Sequence, residues 1–143
     1  MEFTVTERAA YFHIAYPKTN GRHMIMRVVN SGMLSADPAH SAVTGFEEIS
    51  GTRHYFDAES SRPFTVWGAW QGSKVSPGLS TETGTNIGVT LNFPDAEANP
   101  FEWRVGISYI SVEQARRNLE EQIPAWNFAA VKSHARNVWN RAL

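Results

Sequence analysis

The sequence predicts a mainly β chain: an antiparallel β-sandwich over residues 1–110, followed by two α-helices over residues 111–143. Three observations carry this. Short apolar runs with two-residue alternation fill the first part of the chain. Clusters of Gly, Pro, Asn, Asp and Ser stand between them. At Ser111 the apolar spacing changes from two residues to about 3.6, the helical repeat. Many short strands with turn signals between them indicate antiparallel pairing in a sandwich or barrel.

The strands follow in order. Phe3 and Val5 alternate with Thr4 and Thr6, and Tyr11–Tyr16 ends at Pro17. Thr19-Asn20-Gly21 supplies turn chemistry before His23–Val29, so these two runs are expected to form a hairpin. Asn30-Ser31-Gly32 and the segment around Asp37-Pro38 read as turn and loop, with a shorter strand at Ala42–Phe46. Arg53–Ala58 and Phe64–Trp70 flank Ser60–Pro63 as a second strand, turn, strand unit. The polar stretch Gln71–Asn86 reads as a long exposed loop. Asn86–Phe93 and Phe101–Tyr109 complete the strands, with a break over Pro94–Pro100.

Ser111-Val112-Glu113-Gln114 has the form of a capping box, in which Ser111 accepts from the amide of Gln114 and Gln114 reaches back to the cap. The helix it opens runs until Pro124. Asn127 caps a second helix, whose Phe128, Val131, Ala135, Val138 and Leu143 form an apolar stripe with Trp139 beside it. Such a stripe gains its stability by packing on a neighbour, either the sandwich or a further domain.

Composition narrows the function classes. A chain of 143 residues with 42% apolar and 19% charged residues has the means to bury one core. Thirteen Lys and Arg against fourteen Asp and Glu leave a net charge of -1, so no footprint for nucleic acid or an anionic membrane exists. With no cysteine, disulfides, thiolate catalysis and the common structural zinc sites drop out. No window approaches the ~20 apolar residues of a membrane span, and no basic-then-apolar segment opens the chain. Localisation stays open. The strand pattern begins at the second residue, as expected of a piece cut from a larger domain.

Val105–Ala115, followed by Asn118-Leu119-Glu120 and Ile123-Pro124-Ala125-Trp126-Asn127-Phe128, resembles the junction of glycoside hydrolase family 92. There a last strand of the type VGIS(F/Y)VS leads into EQARxNLExEIPxWDF and an AxxxWNxxL helix, which Ala135–Leu143 fits. Upstream, Glu2–Arg8, Val43–Phe46, Tyr55-Phe56 and Arg62-Pro63-Phe64 follow the family order, so the resemblance covers nearly the whole chain. The chain departs from the pattern at Ala9-Ala10-Tyr11-Phe12-His13, and at Asn127 in place of Asp.

The resemblance implies part of a galactose-mutarotase-like sandwich from a calcium-dependent, inverting exo-α-mannosidase. The family's α/α barrel, with the acid, the base and the calcium, lies outside this sequence, so no cofactor is expected in these residues. The implied function is a non-catalytic scaffold between domains, inactive alone. Mannose-containing glycans are the expected ligands, and self-association through exposed strand edges or helices is expected.

The residues themselves offer few candidates. Inverting hydrolysis needs two carboxylates about 6.5–9.5 Å apart in one pocket. Glu47-Glu48, Asp57 with Glu59, and Glu120-Glu121 lie too close in sequence to converge and read as solvated surface. His13, His23, His40, His54 and His134 show no metal-ligand spacing, and Asp37, Asp57 and Asp95 form no calcium loop. Among Trp67, Trp70, Trp103, Trp126 and Trp139, most large strand aromatics belong to a core. Trp67 and Trp70 are the carbohydrate-binding candidates, placed by strict alternation on opposite faces of one strand so that one is the more exposed. Three readings therefore stand: a scaffold, a stand-alone carbohydrate-binding module using Trp70 or Trp67, and a minimal enzyme with its own site.

Overall fold

The computed structural model describes residues 1–16, 22–94 and 100–143. Nine strands are present among them: β1 (Glu2–Val5), β2 (Ala9–Ile14), β3 (His23–Asp37), β4 (Ala42–Ile49), β5 (Thr52–Ser60), β6 (Thr65–Gln71), β7 (Lys74–Pro77), β8 (Thr81–Asn92) and β9 (Phe101–Ser108). Two helices follow, α1 (Val112–Gln122) and α2 (Phe128–Ala142). The strands form one antiparallel ladder in the order β1-β2-β9-β5-β4-β3-β8-β6-β7.

That ladder folds back on itself to make the sandwich. β6 and β9 stand far apart in strand order, yet the ring of Phe64, at the entry to β6, lies 6.3 Å from that of Trp103 on β9. Phe93, at the end of β8, lies 4.4 Å from Phe101 at the start of β9. Both layers therefore come from one sheet, and the core between them holds Val28, Leu34, Val43, Ala58, Ala69, Ile87, Val89, Leu91 and Trp103.

The fifteen residues of β3 pass from one layer to the other, as strands do at sandwich corners. Its first half pairs with β8 alone, and its second half pairs with both β8 and β4. Between them the register slips from Val28 to Ser31, opposite Asn86 with φ +55°. The slip releases backbone amides from the ladder, and Glu47 collects them. One carboxylate oxygen accepts from the Val29 and Asn30 amides at 3.0 and 2.8 Å, and from the Asn30 side chain at 2.9 Å. On the other side, Asn86 is held by Arg27 through Nε and Nη2 at 3.0 and 2.6 Å.

Several local expectations change. Thr19-Asn20-Gly21, like Pro17 and Asp95, lies outside the described residues, but the flanking strands do not form the expected hairpin. β2 pairs with β1 and β9, whereas β3 pairs with β4 and β8. Likewise β5 pairs with β4 and β9, not with β6. In both cases burial of an apolar face selects the partner over nearness in sequence. A tight hairpin joins β4 to β5 instead, through Ser50 and Gly51, both at positive φ as a primed turn requires.

The expected loop at Gln71–Asn86 contains β7 and the first half of β8. It reads as polar because β7 is a short edge strand and Thr81, Thr83 and Thr85 face solvent beside Ser35, Met33 and Ser31. At the helix start, Ser111 Oγ accepts from Gln114 N at 3.1 Å, but the Gln114 side chain turns to Asn118 and Arg117 instead of the cap. Asn127 caps α2 by accepting from Ala130 N at 3.1 Å.

Candidate functional site

Cross-strand register builds a platform on the outer face of β2, β9 and β5. Ala9, Gly106 and Asp57 form one row, and Tyr11, Arg104 and Glu59 form the next. Residues directly opposite on neighbouring strands share a face, so both rows point away from the sandwich core. The helices sit here.

Gly106 is the contact point for α1. A Cβ on it would stand 2.2 Å from the carbonyl oxygen of Ala115 and 2.7 Å from Leu119 Cβ, so only glycine admits the helix at this depth. Leu119 and Ile123 are buried with Ala9 and Tyr11 in a second apolar cluster. Polar ties run along the same helix. The buried Asn118 donates through Nδ2 to Ile107 O at 2.8 Å, and Gln122 Oε1 accepts from Arg8 N at 2.8 Å and from the Thr6 hydroxyl.

Asp57 and Glu59, expected as solvated surface, belong to this seat. Two residues apart on a strand, they share a face, and that face is covered. The Asp57 side chain is 0% exposed. Its Oδ2 accepts from Arg116 Nε at 2.7 Å, while Oδ1 is buried with no hydrogen-bond partner among the described residues. Burial pushes the Asp57 carboxyl above the usual carboxylate range, with Arg116 pulling the other way. Arg116 in turn is held protonated by Asp57.

Arg104 fixes the turn between the helices. Its Nε and Nη2 donate to Glu59 Oε2 at 3.0 and 2.6 Å, and its Nη1 donates to Ile123 O at 2.5 Å, closing the end of α1. The guanidinium also lies 4.3 Å over the ring of Trp126. Nearby, the buried Tyr11 hydroxyl donates to Glu102 Oε2; burial first, and then this carboxylate, push the hydroxyl up, so it stays a donor. His13 Nδ1 stands 3.7 Å from the other oxygen of Glu102.

The seat for α2 is thinner. Phe128 meets Tyr11 edge-on at 5.5 Å and Lys132 pairs with Glu2 at 2.6 Å, yet no residue of α2 is buried. Val138, Trp139 and Leu143 are 45%, 61% and 98% exposed. Between α2 and the β1–β2 turn lies an open groove of about 420 Å³, lined by the apolar Val5, Ala135, Val138 and Trp139 and by the titratable Glu7, Glu121 and His134.

The two carbohydrate-binding candidates lie elsewhere, on the β8–β6–β7 side. Trp67 is the extra residue of a bulge between Val66 and Gly68 and is 57% exposed, whereas Trp70 is half-buried. The bulge breaks the strict alternation on which an opposite-face placement rests. Trp103 belongs to the core and Trp126 to the helix seat. Among the described residues no group of three or more His, Asp or Glu side chains is placed to hold a metal ion, and no helix is long and apolar enough to cross a membrane.

Sequence reasoning passes over Gly106, Arg104 and Asp57 as site residues. An isolated glycine inside a strand signals a close backbone approach, and Gly106 carried that signal. Arg104 and Asp57 carried none, because their partners are 19 and 59 residues away.

These features define an antiparallel β-sandwich domain that carries a helical extension on one outer face and ties its charged groups into that contact. The sequence profile of the glycosyl hydrolase family 92 N-terminal domain matches residues 1–108, and the chain belongs to that family. An uncharacterized secreted glycosidase of Arthroderma benhamiae is 24% identical over 99% of this chain and 22% of its own length. A family GH92 inverting mannosidase of Bacteroides thetaiotaomicron superposes with a TM-score of 0.89 at 21% identity, covering 97% of this chain and 20% of that one. A family GH92 α-mannosidase of the same organism gives a TM-score of 0.83 at 18% identity, over 97% and 21%. The chain thus spans about a fifth of the length of these relatives.

Proposed function

We propose that the chain is the non-catalytic scaffold of a glycoside hydrolase acting on mannosides, and that its helices hold a second, catalytic body. The contrast between the helices carries this reading. α1 is anchored by Gly106, Asp57, Asn118 and Arg104, whereas α2 leaves Val138, Trp139 and Leu143 uncovered beside an open groove. An amphipathic helix of that length gains little stability until its stripe is covered. The groove and stripe are continuous with the rigid α1 platform, so a body seated there is fixed in orientation to the sandwich.

The carboxylates of the seat support a structural role. Asp57 is engaged by Arg116, Glu59 by Arg104 and Glu102 by Tyr11, so none of these three carboxylates stands free to serve as the acid or the base of inverting hydrolysis. Calcium asks for six to eight oxygen ligands. The described carboxylates do not fit that demand, since Asp37 is engaged by His40 at 2.6 Å and Asp57 by Arg116. In this reading calcium belongs to the catalytic body.

Purified chain incubated with an aryl α-mannoside and calcium tests the reading. No release of the aryl group is expected. Turnover that follows the chain through successive chromatography steps overturns the scaffold role in favour of a site within these residues.

A further inference from the structure

The two edges of the sheet are built differently. β7 closes one end of the strand order and β1 the other. Backbone hydrogen bonds alternate along an antiparallel strand, so every second residue turns its N–H and C=O away from its neighbour. On β7 the Gly78 amide donates to Trp67 O at 3.0 Å, which sets Lys74 and Ser76 toward β6 and turns Val75 and Pro77 outward. Pro77 has no N–H to offer, and the exposed Lys74 stands beside Val75. Proline and lysine are two devices by which sheets keep an edge unpaired.

β1 has neither. The Thr6 amide donates to Ala9 O at 2.8 Å, so Glu2 and Thr4 bond toward β2, while Phe3 and Val5 turn their N–H and C=O outward, where no strand follows among the described residues. Their side chains are apolar and open, Phe3 63% and Val5 43% exposed. Phe3 stacks on Phe12 of β2 with ring centroids 5.8 Å apart, so an aromatic row ends at this edge. Lys132 of α2 reaches Glu2, which faces the other way, and the Phe3 side stays clear.

A strand that meets this edge must present outward backbone groups of its own, apolar side chains in step with Phe3 and Val5, and no acid opposite Glu2. β1 of a second copy meets all three demands. About a twofold axis through Phe3, Phe3 faces Phe3 as a hydrogen-bonded pair, Val5 faces Met1 and Glu2 faces Thr4. An axis through Glu2 sets the two acids against each other, and one through Thr4 gives up the aromatic pair. We propose that two copies of the chain pair through their β1 edges in the Phe3 register, joining their sheets into one. One short strand from each copy buries less than the about 800 Å² per partner of a standard interface, so the dimer is weak, with Kd on the order of 100 µM. This is independent of the scaffold role, since turnover bears on that role and self-association on the edge.

Sedimentation equilibrium of the full chain from about 10 µM to about 1 mM tests the pairing, with a reversible monomer–dimer equilibrium expected. Phe3→Lys adds the charge that blocks sheet edges and should raise Kd at least about tenfold, whereas Trp139→Glu, on the α2 stripe, should leave it unchanged. The chain has no cysteine, so single cysteines read the register. Mild oxidation should cross-link Phe3→Cys, whose two copies face each other with Cα atoms about 5.5 Å apart. It should not cross-link Val5→Cys, whose copies stand four residues out of register. A monomer throughout that concentration range overturns the proposal, as does a dimer that persists in Phe3→Lys or dissolves in Trp139→Glu. Should urea unfolding show that Phe3→Lys has lost its fold, the cysteine pair decides alone, and cross-linking of Val5→Cys as fast as Phe3→Cys overturns the register.

Discussion

Replacing Gly106 by alanine tests whether α1 is truly seated on the sheet. The added methyl would stand 2.2 Å from the Ala115 carbonyl oxygen, and ordinary contact needs ~3.5 Å, so the helix must withdraw by roughly 1.3 Å. Two outcomes compete. Helix and sheet can shift and absorb the overlap, at the ~1–3 kcal/mol that overpacking costs. Alternatively α1 can lift away, exposing the fully buried Leu119 and Ile123 at about 1.5–3 kcal/mol each, or ~3–6 kcal/mol together. The chain takes the smaller. Because withdrawal also stretches the Asn118–Ile107 and Arg116–Asp57 bonds of 2.8 and 2.7 Å, the expected loss is near the top of the first range, ~3 kcal/mol. Urea unfolding reads it as a lower midpoint at unchanged slope. Gly51→Ala is the comparison, since nothing lies within 4 Å of its added methyl and only its φ of +78° resists the change, at ~1 kcal/mol. If Gly106→Ala costs no more than Gly51→Ala, the helix does not rest on that glycine and the platform argument falls.

Arg104→Lys keeps the charge but loses the fork that serves Glu59 and Ile123 together and the stack on Trp126, so a loss of ~2 kcal/mol is expected in urea unfolding despite the conserved charge. Asp57 binds its proton more readily when folded, so its contribution to stability is present in acid and falls as pH rises from the ordinary carboxylate range through its raised folded value; Asp57→Asn should remove that downward slope from stability measured between those limits. Glu47→Ala should cost ~1 kcal/mol, since the bulge amides it collects can turn to water, and differential scanning calorimetry should find a lower midpoint. Trp139→Glu should leave stability within about 0.5 kcal/mol, because the residue is exposed; and if two copies associate through this stripe, light scattering should show the variant shifted toward monomer relative to the parent chain.

Strand positions were legible because the sandwich buries one face of most strands, and a two-residue period is that fact written in sequence. Val28, Val43, Ala58, Leu91 and Trp103 all fall on their expected runs and all enter the core. Pairing was not legible. β2 meets β9 across some ninety residues and β8 returns past β7 to pair with β6, and no local pattern encodes either choice of partner. β7 and the start of β8 hid for a different reason: a strand edge and a solvent-facing threonine row carry polar side chains, so composition alone makes them look like loop. The helix caps at Ser111 and Asn127 were legible to the residue, since a cap is a contact across three positions. The helix seat was legible only as apolar spacing; its charged half, Asp57 with Arg116 and Glu59 with Arg104, exists only once the strands are paired.

The two helices then differ in kind, not only in exposure. Asp57 is costly to bury: one oxygen satisfies Arg116, the other has no hydrogen-bond partner among the described residues, and a hydrophobic residue at that position would pack with less penalty. A carboxylate retained there specifies geometry, because Arg116 can meet it in only one rotation of α1, and Arg104 can close on Ile123 only when the helix ends at that height. α1 is thereby fixed in rotation and in length before α2 begins. With its start set by Asn127 and its side by Phe128 against Tyr11, α2 projects its uncovered stripe in one direction relative to the sheet. A helix serving only to close a core would not need this definition of angle. One that presents a surface to the proposed second body does, and under that proposal the polar cost at Asp57 is intelligible.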